Sequence, residues 1–319
     1  MNKYGIPYMG SKQRIVKSIA MALPGAENFY DLFGGGFSVS HYMATQNKYQ
    51  NIHYNEIKPD IVELVKNAIA GKYSYDVFKP KWISKKKFDE TKHKCAYTRV
   101  CWSFGNDQRT YLFGDDIEPY KKSMHEAVVF SKFDDLASEV LQLKKWPKDI
   151  DTITKRRLYL RQIIEHYRRT NIPKVLYKFL TKKQLEQLEH LQKLEQLQQL
   201  QQLQQLEQLQ QLQQLQQLQK AKLNFSSVSY DKVKIKKNSV VYCDIPYENT
   251  ADYGNFFDRK KFLDWASSAS FPVYISEYNI TDDRFKVIYK INKQAMFHRV
   301  SRLKEKKIEK VYWNGVSNG

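Results

Sequence analysis

The segment NFYDLFGGGFSVS, residues 28 to 40, decides how this chain is read. After Asn28, the aromatic Phe29 and Tyr30 read as a short buried strand that Asp31 closes. Gly34, Gly35 and Gly36 then make a turn, and a helix opens from it. Strand, turn and helix are half of a βαβ unit. Upstream, KQRIVKSIAMALP sets Ile15, Ile19 and Leu23 at helical spacing before Pro24. Downstream, NIHYNEI reads as a second strand ending near Glu56, and KPDIVELVKNAIAG as a helix with Pro59 in its first turn and Gly71 at its end. Strands alternating with helices predict an α/β fold, a parallel sheet covered by helices.

The same character returns late in the chain. NSVVYCDI reads as a buried strand, FDRKKFLDWASS as a helix, and FPVYISEYN, FKVIYKINKQ and KIEKVYWNG as strands. Between them, KPKWISKKKFDE, WSFGNDQRTYLFG and TKRRLYLRQIIEHYRRT are dense in basic and aromatic residues. The expected organisation is one sheet domain from residues 1–72 and 226–319, interrupted by a mainly helical insert at 73–225.

Inside the insert lies a repeat, residues 182–220, with twelve leucines at period three from Leu185 to Leu218 and mostly glutamine between them. Both residues favour helix. A step of three turns an α-helix by about 300°, so successive leucines drift by about 60° and draw no fixed stripe. This argues against a heptad coiled coil. A 3₁₀-helix would align the leucines, but long 3₁₀ runs are rare. Four lysines, 182, 183, 193 and 220, balance Glu186, Glu189, Glu195 and Glu207. The reading is a long helical spacer, with its packing left open.

The chain has 319 residues, is 42% hydrophobic and carries a net charge of +19. Such an excess fits a polyanionic partner, nucleic acid before an anionic membrane surface, although a lysine-rich solvated surface gives the same sum. Cys95, Cys101 and Cys243 form neither a CxxC pair nor a metal-ligand spacing, so neither zinc nor disulfides are expected. No signal-peptide core and no stretch of membrane-spanning length is present. The expectation is a soluble cytoplasmic protein without a metal, monomeric or weakly dimeric.

Three acids fall at predicted strand ends: Asp31, Glu56 and Asp244. Ligands of open α/β sheets bind at that edge, where a glycine turn admits close approach and an acid can accept ribose hydroxyls. Taken singly, each feature is also what a tight turn or a helix cap supplies. The spacing of the glycines is not that of a dinucleotide fingerprint. In CDIPY, the Asp244 carboxylate and the Ile245 carbonyl can accept the two hydrogens of a planar exocyclic amine, Pro246 stiffens the backbone, and Tyr247 can stack on the heterocycle. A strand-closing β-turn is the ordinary alternative.

Together these segments resemble the Dam-like D12 class of DNA adenine N6-methyltransferases. IPYMGSKQRIVKSI is similar to the family's N-terminal cofactor segment, DLFGGGFSVS to its D-x-F-x-G-x-G turn, NEIKPDIVELVKN to the acid and helix that follow, and SVVYCDIPY to its D-P-P-Y strand. Ile245 stands where the family has the first proline and still supplies a main-chain carbonyl. The resemblance implies a Rossmann-like fold and S-adenosylmethionine held by Tyr8, Met9, Gly10, Ser11, Lys12, Asp31, Phe33, Gly34, Gly36, Glu56 and Asp244. It also implies catalysis by Asp244, Ile245, Pro246 and Tyr247 on an adenine flipped out of double-stranded DNA. Hydrogen bonds to the amine restore its lone pair, and the rest is alignment with the methyl group.

In the insert, Trp102, Asn106, Arg109 and Tyr111 resemble a hairpin that reads or wedges DNA, and Arg156, Arg157 and Arg161 suit phosphates or form a solvated basic face. A phage or prophage origin and a restriction–modification role fit this reading. The alternatives are N4-cytosine or RNA-base methylation, and an inactive DNA-binding remnant assembled through the repeat.

Overall fold

The computed structural model describes residues 3–141, 143–169, 203–246, 257–291 and 308–318. In chain order the elements begin α1 (Val16–Ala22), β1 (Asn28–Asp31), α2 (Ser38–Ala44), β2 (Asn51–Asn55) and α3 (Pro59–Ile69). Helices α4 (Lys85–Thr91), α5 (Ala96–Cys101), α6 (Glu118–Phe130), α7 (Asp135–Leu141), α8 (Ile153–Arg169) and α9 (Gln204–Gln213) follow. The chain then forms β3 (Leu223–Ser226), β4 (Ser239–Cys243), α10 (Arg259–Ser268), β5 (Val273–Glu277), β6 (Lys286–Ile291) and β7 (Glu309–Trp313). It divides into two compact units, Met1–Gly71 with Gln211–Gly319, and Lys72–Gln210.

The first unit is built on a seven-stranded sheet of order β3-β2-β1-β4-β5-β7-β6. Every residue of β1, β4 and β5 is buried, which explains why these strands are mostly apolar on both faces rather than alternating. The chain leaves β1 towards β2 and β3 on one side and returns to β4 and β5 on the other. At that reversal the carboxyl ends of β1 and β4 flank a crevice.

The sheet is mixed rather than wholly parallel as expected, because β7 runs antiparallel to both β5 and β6. Strand β7 pairs with the strand that precedes it in the chain, and such neighbours pair readily without the helical crossover that a parallel pair requires.

The last six leucines of the repeat, Leu203 to Leu218, are all at most 5% exposed. Helix α9 gives way to a 3₁₀-helix over Gln214–Leu218, where a period of three does align side chains. Glutamines are used as well. In the first unit Gln211 donates to the Gly5 carbonyl at 3.1 Å, and Gln217 meets His41 Nε2 at 2.7 Å. In the second unit Gln205 meets His125 Nδ1 at 3.2 Å, and Gln208 donates to Asn106 Oδ1 at 2.9 Å. This part of the repeat is core structure, and the spacer reading does not extend to it. Residues 182–202 of the repeat lie outside the described residues.

The second unit packs its helices around aromatic side chains. Trp102 is fully buried and meets Trp82 edge-on at 5.1 Å, while Trp146 donates to the Ala127 carbonyl at 2.8 Å. Buried His125 bonds the Pro80 carbonyl through Nε2, and burial lowers its pKa to about 4, so the ring is neutral.

Candidate active site

A cavity of about 640 Å³ opens in the first unit, at the carboxyl ends of β1 and β4. Among the described residues four carboxylates and three lysines line it, so it stands apart from the chain's basic excess.

The glycine turn forms one wall. A Cβ on Gly34 would lie 2.2 Å from the Tyr54 ring, and one on Gly36 would lie 2.4 Å from Tyr8 Cβ. Glycine is required at both positions by space. The turn is tied to β2, since Gly34 N–H donates to the Asn55 carbonyl at 2.9 Å and the Tyr54 hydroxyl to the Gly35 carbonyl at 2.7 Å.

Asp31 ends β1 and is wholly buried. Its Oδ2 accepts from Ser40 Oγ at 2.7 Å, and its Oδ1 has no hydrogen-bond partner among the described residues. Burial raises its pKa to about 7, and Ser40 only partly offsets that. Glu56 follows β2. Its two oxygens accept the backbone N–H groups of Gly35 at 2.9 Å and Lys58 at 3.1 Å. Burial raises its pKa, and those two N–H groups oppose the rise. Each carboxylate oxygen has a second lone pair, so Glu56 can still accept from a ligand.

Asp244 follows β4 directly and faces the cavity with its side chain 20% exposed. Its Oδ1 is 2.5 Å from Lys12 Nζ, which is in turn 3.5 Å from Glu309 Oε1 at the start of β7. Burial raises the Asp244 pKa to about 6, while Lys12 pulls it down. Ile245 turns its side chain into the apolar cluster beneath β4, with Leu32, Val241 and Phe262. Packing thus holds the backbone at this position without a proline.

Tyr8, Met9, Gly10, Ser11, Lys12, Asp31, Phe33, Gly34, Gly36, Glu56, Asp244, Ile245 and Pro246 all line this one cavity. Tyr247 lies outside the described residues. Three groups were not picked out from the sequence: Ser40, Glu309, and the Arg259–Glu277 ion pair at 2.7 Å. For Glu309 a signal existed. In β7 it shares a face with Val311, which is fully buried, so the alternation placed an acid in the interior.

The residues expected to meet DNA belong to the second unit and separate into two groups. Trp102 and Tyr111 are interior, and the Tyr111 hydroxyl donates to the Ile83 carbonyl at 2.7 Å. Their rings pack in the core of this unit. Arg156 spends its guanidinium on the carbonyls of Ile150, Val128 and Asp151, and Arg157 bonds Gln210 at 3.2 Å. Arg109 and Arg161 are exposed, and Asn106 is half-buried. Ser103 and Tyr111 pair as an antiparallel bridge, and Phe104 stands 62% exposed on the loop they close.

No group of three or more His, Cys, Asp and Glu side chains suited to a metal occurs among the described residues, and no helix among them is long and apolar enough to cross a membrane. The family model described as D12 class N6 adenine-specific DNA methyltransferase matches residues 8–270. A search of curated proteins returned no match.

Proposed function

This chain belongs to the D12 class of N6 adenine-specific DNA methyltransferases, and we propose that the cavity beside Asp244 is where its reaction occurs. The family methylates adenine in DNA with S-adenosylmethionine, whose sulfonium supplies the methyl group when it is bound. The cavity fits such a ligand in size, since small-molecule sites run from about 300 to 1,000 Å³. It also offers a glycine cradle, and an Asp31 oxygen without a hydrogen-bond partner among the described residues.

In this reading Asp31 and Glu56 bind the polar ends of the cofactor, Asp31 taking an ammonium and Glu56 the ribose hydroxyls. Tyr8, Met9, Gly10, Ser11, Phe33, Gly34 and Gly36 shape the cradle. Asp244 accepts one hydrogen of the adenine amine and the Ile245 carbonyl the other, which localises the nitrogen lone pair. Tyr247 stacks on the base once it has left the duplex. The observation that carries this reading is the Lys12–Asp244 pair at 2.5 Å on the cavity wall. Lys12 keeps the carboxylate ionised near neutral pH, as an acceptor must be.

Binding of DNA is assigned to the Ser103–Tyr111 loop of the insert, with exposed Phe104 and Arg109 and half-buried Asn106, and to exposed Arg161. A second cavity in that unit, of about 490 Å³, joins Lys81, Lys87, Lys122 and Lys132 to the rings of Trp82 and Phe130. These exposed lysines suit phosphates better than Arg156, whose donors are already engaged.

The test is transfer of labelled methyl from S-adenosylmethionine to unmethylated plasmid, followed by nucleoside analysis. Label should appear in N6-methyladenine and fall by roughly 10²- to 10⁴-fold in Asp244→Ala. Label in N4-methylcytosine, or undiminished transfer by the variant, would overturn the reading.

A further inference from the structure

We infer that Glu309, on the last strand of the sheet, is a positioning residue for the reaction, acting on Asp244 through Lys12. The inference rests on the assignment of Asp244 as the amine acceptor. Glu309 lies beyond the matched span of 8–270 and is not among the residues that line the cavity. It therefore acts from behind the two that do.

The geometry is a carboxylate, an ammonium and a carboxylate in sequence. Lys12 Nζ is 2.5 Å from Asp244 Oδ1 and 3.5 Å from Glu309 Oε1. The Lys12 side chain is 5% exposed and that of Glu309 is fully buried. A lysine stem has many rotamers and its ammonium is a point charge without directional preference. A buried carboxylate fixed on β7 gives that charge one location, and β7 is itself held between β5 and β6.

The electronic consequence has a definite sign. A lone ammonium against Asp244 would draw electron density from the oxygen that must accept the substrate amine. Glu309 competes for the same ammonium and raises the proton affinity of Asp244. The carboxylate stays ionised and remains a strong acceptor. Other groups around the pair among the described residues include Glu277, already held by Arg259 at 2.7 Å, the buried Tyr242 hydroxyl, the buried Cys243 thiol and Asp31. Behind Asp244, Glu309 lies within ion-pair distance of Lys12.

The experiment measures single-turnover methyl transfer to plasmid DNA from pH 5 to 8.5, with saturating S-adenosylmethionine, for wild type, Glu309→Gln, Glu309→Asp and Asp244→Ala. Circular dichroism and cofactor affinity report folding. Glu309→Gln removes the charge at constant shape, so the acid limb should move to lower pH. Its plateau rate should fall roughly 10- to 100-fold, the scale set by misplacing a reacting group. Glu309→Asp keeps the charge, so its limb should stay with wild type even where its rate is lower. A limb unmoved in Glu309→Gln overturns the inference, as does a limb moved equally in both variants. Should Glu309→Gln not fold, the Asp variant carries the test, a wild-type limb supporting the role and a displaced limb overturning it. If Asp244→Ala still transfers methyl, the assignment of Asp244 fails and the inference falls with it. A dead Asp244→Ala beside an unmoved Glu309→Gln limb removes the inference alone.

Discussion

At the residue scale, the acids at the strand ends differ in what they need. Asp31 is buried with no cation paired to it among the described residues, and its pKa is raised to about 7. The sign follows from linkage. An unfolded aspartate titrates near its ordinary value of 3.8, so between there and about 7 the folded chain holds a proton that the unfolded chain has released. That contribution to stability is present at low pH and is lost as pH rises through the folded value. Asp31→Asn keeps an acceptor for Ser40 without the charge. It should raise Tm relative to wild type by more at pH 8 than at pH 5, and weaken cofactor binding at both. Thermal melts at the two pH values with calorimetric titration of S-adenosylmethionine check this. Asp31, Glu56 and Asp244 were legible because strand ends, a glycine turn and a strand-terminal acid all leave marks in local sequence. The arrangement behind them was not, since nothing local says that Glu309 reaches a lysine near the opposite end of the chain.

At the element scale, the succession of helices and strands was readable because hydrophobic period and glycine or proline stops report it. Strand direction was not, because alternation in β7 is the same whichever way the strand runs. The packing of the repeat was hidden for a related reason. A helical wheel with leucine on every side looks unpartnered, yet Leu203 to Leu218 are all buried because neighbours surround the helix. Leu209→Ala and Leu215→Ala should therefore each cost about 2–5 kcal/mol by denaturant melts, the range for deleting a buried leucine.

At the scale of the whole molecule, the basic excess separates from the chemistry. The cavity beside Asp244 is nearly balanced in charge, whereas Lys81, Lys87, Lys122 and Lys132 gather around a different hollow in the second unit. Lys122→Gln with Lys132→Gln should lower DNA affinity alike for all sequences. The slope of log K against log salt should shrink by about 1 for each phosphate no longer neutralised, measured by fluorescence anisotropy, with the rate on saturating DNA unchanged. The first unit has a further property, which concerns time rather than place. Its sheet joins strands from the two ends of an interruption, and Ser226 reaches Asn55 across 171 residues of chain. Closing so long a loop is slow when the intervening chain is unfolded. An insert that collapses first shortens the search, so its helices act on the rate at which the sheet assembles as well as on what the finished protein touches. A core change there such as Trp146→Ala should therefore slow refolding of a sheet it never enters.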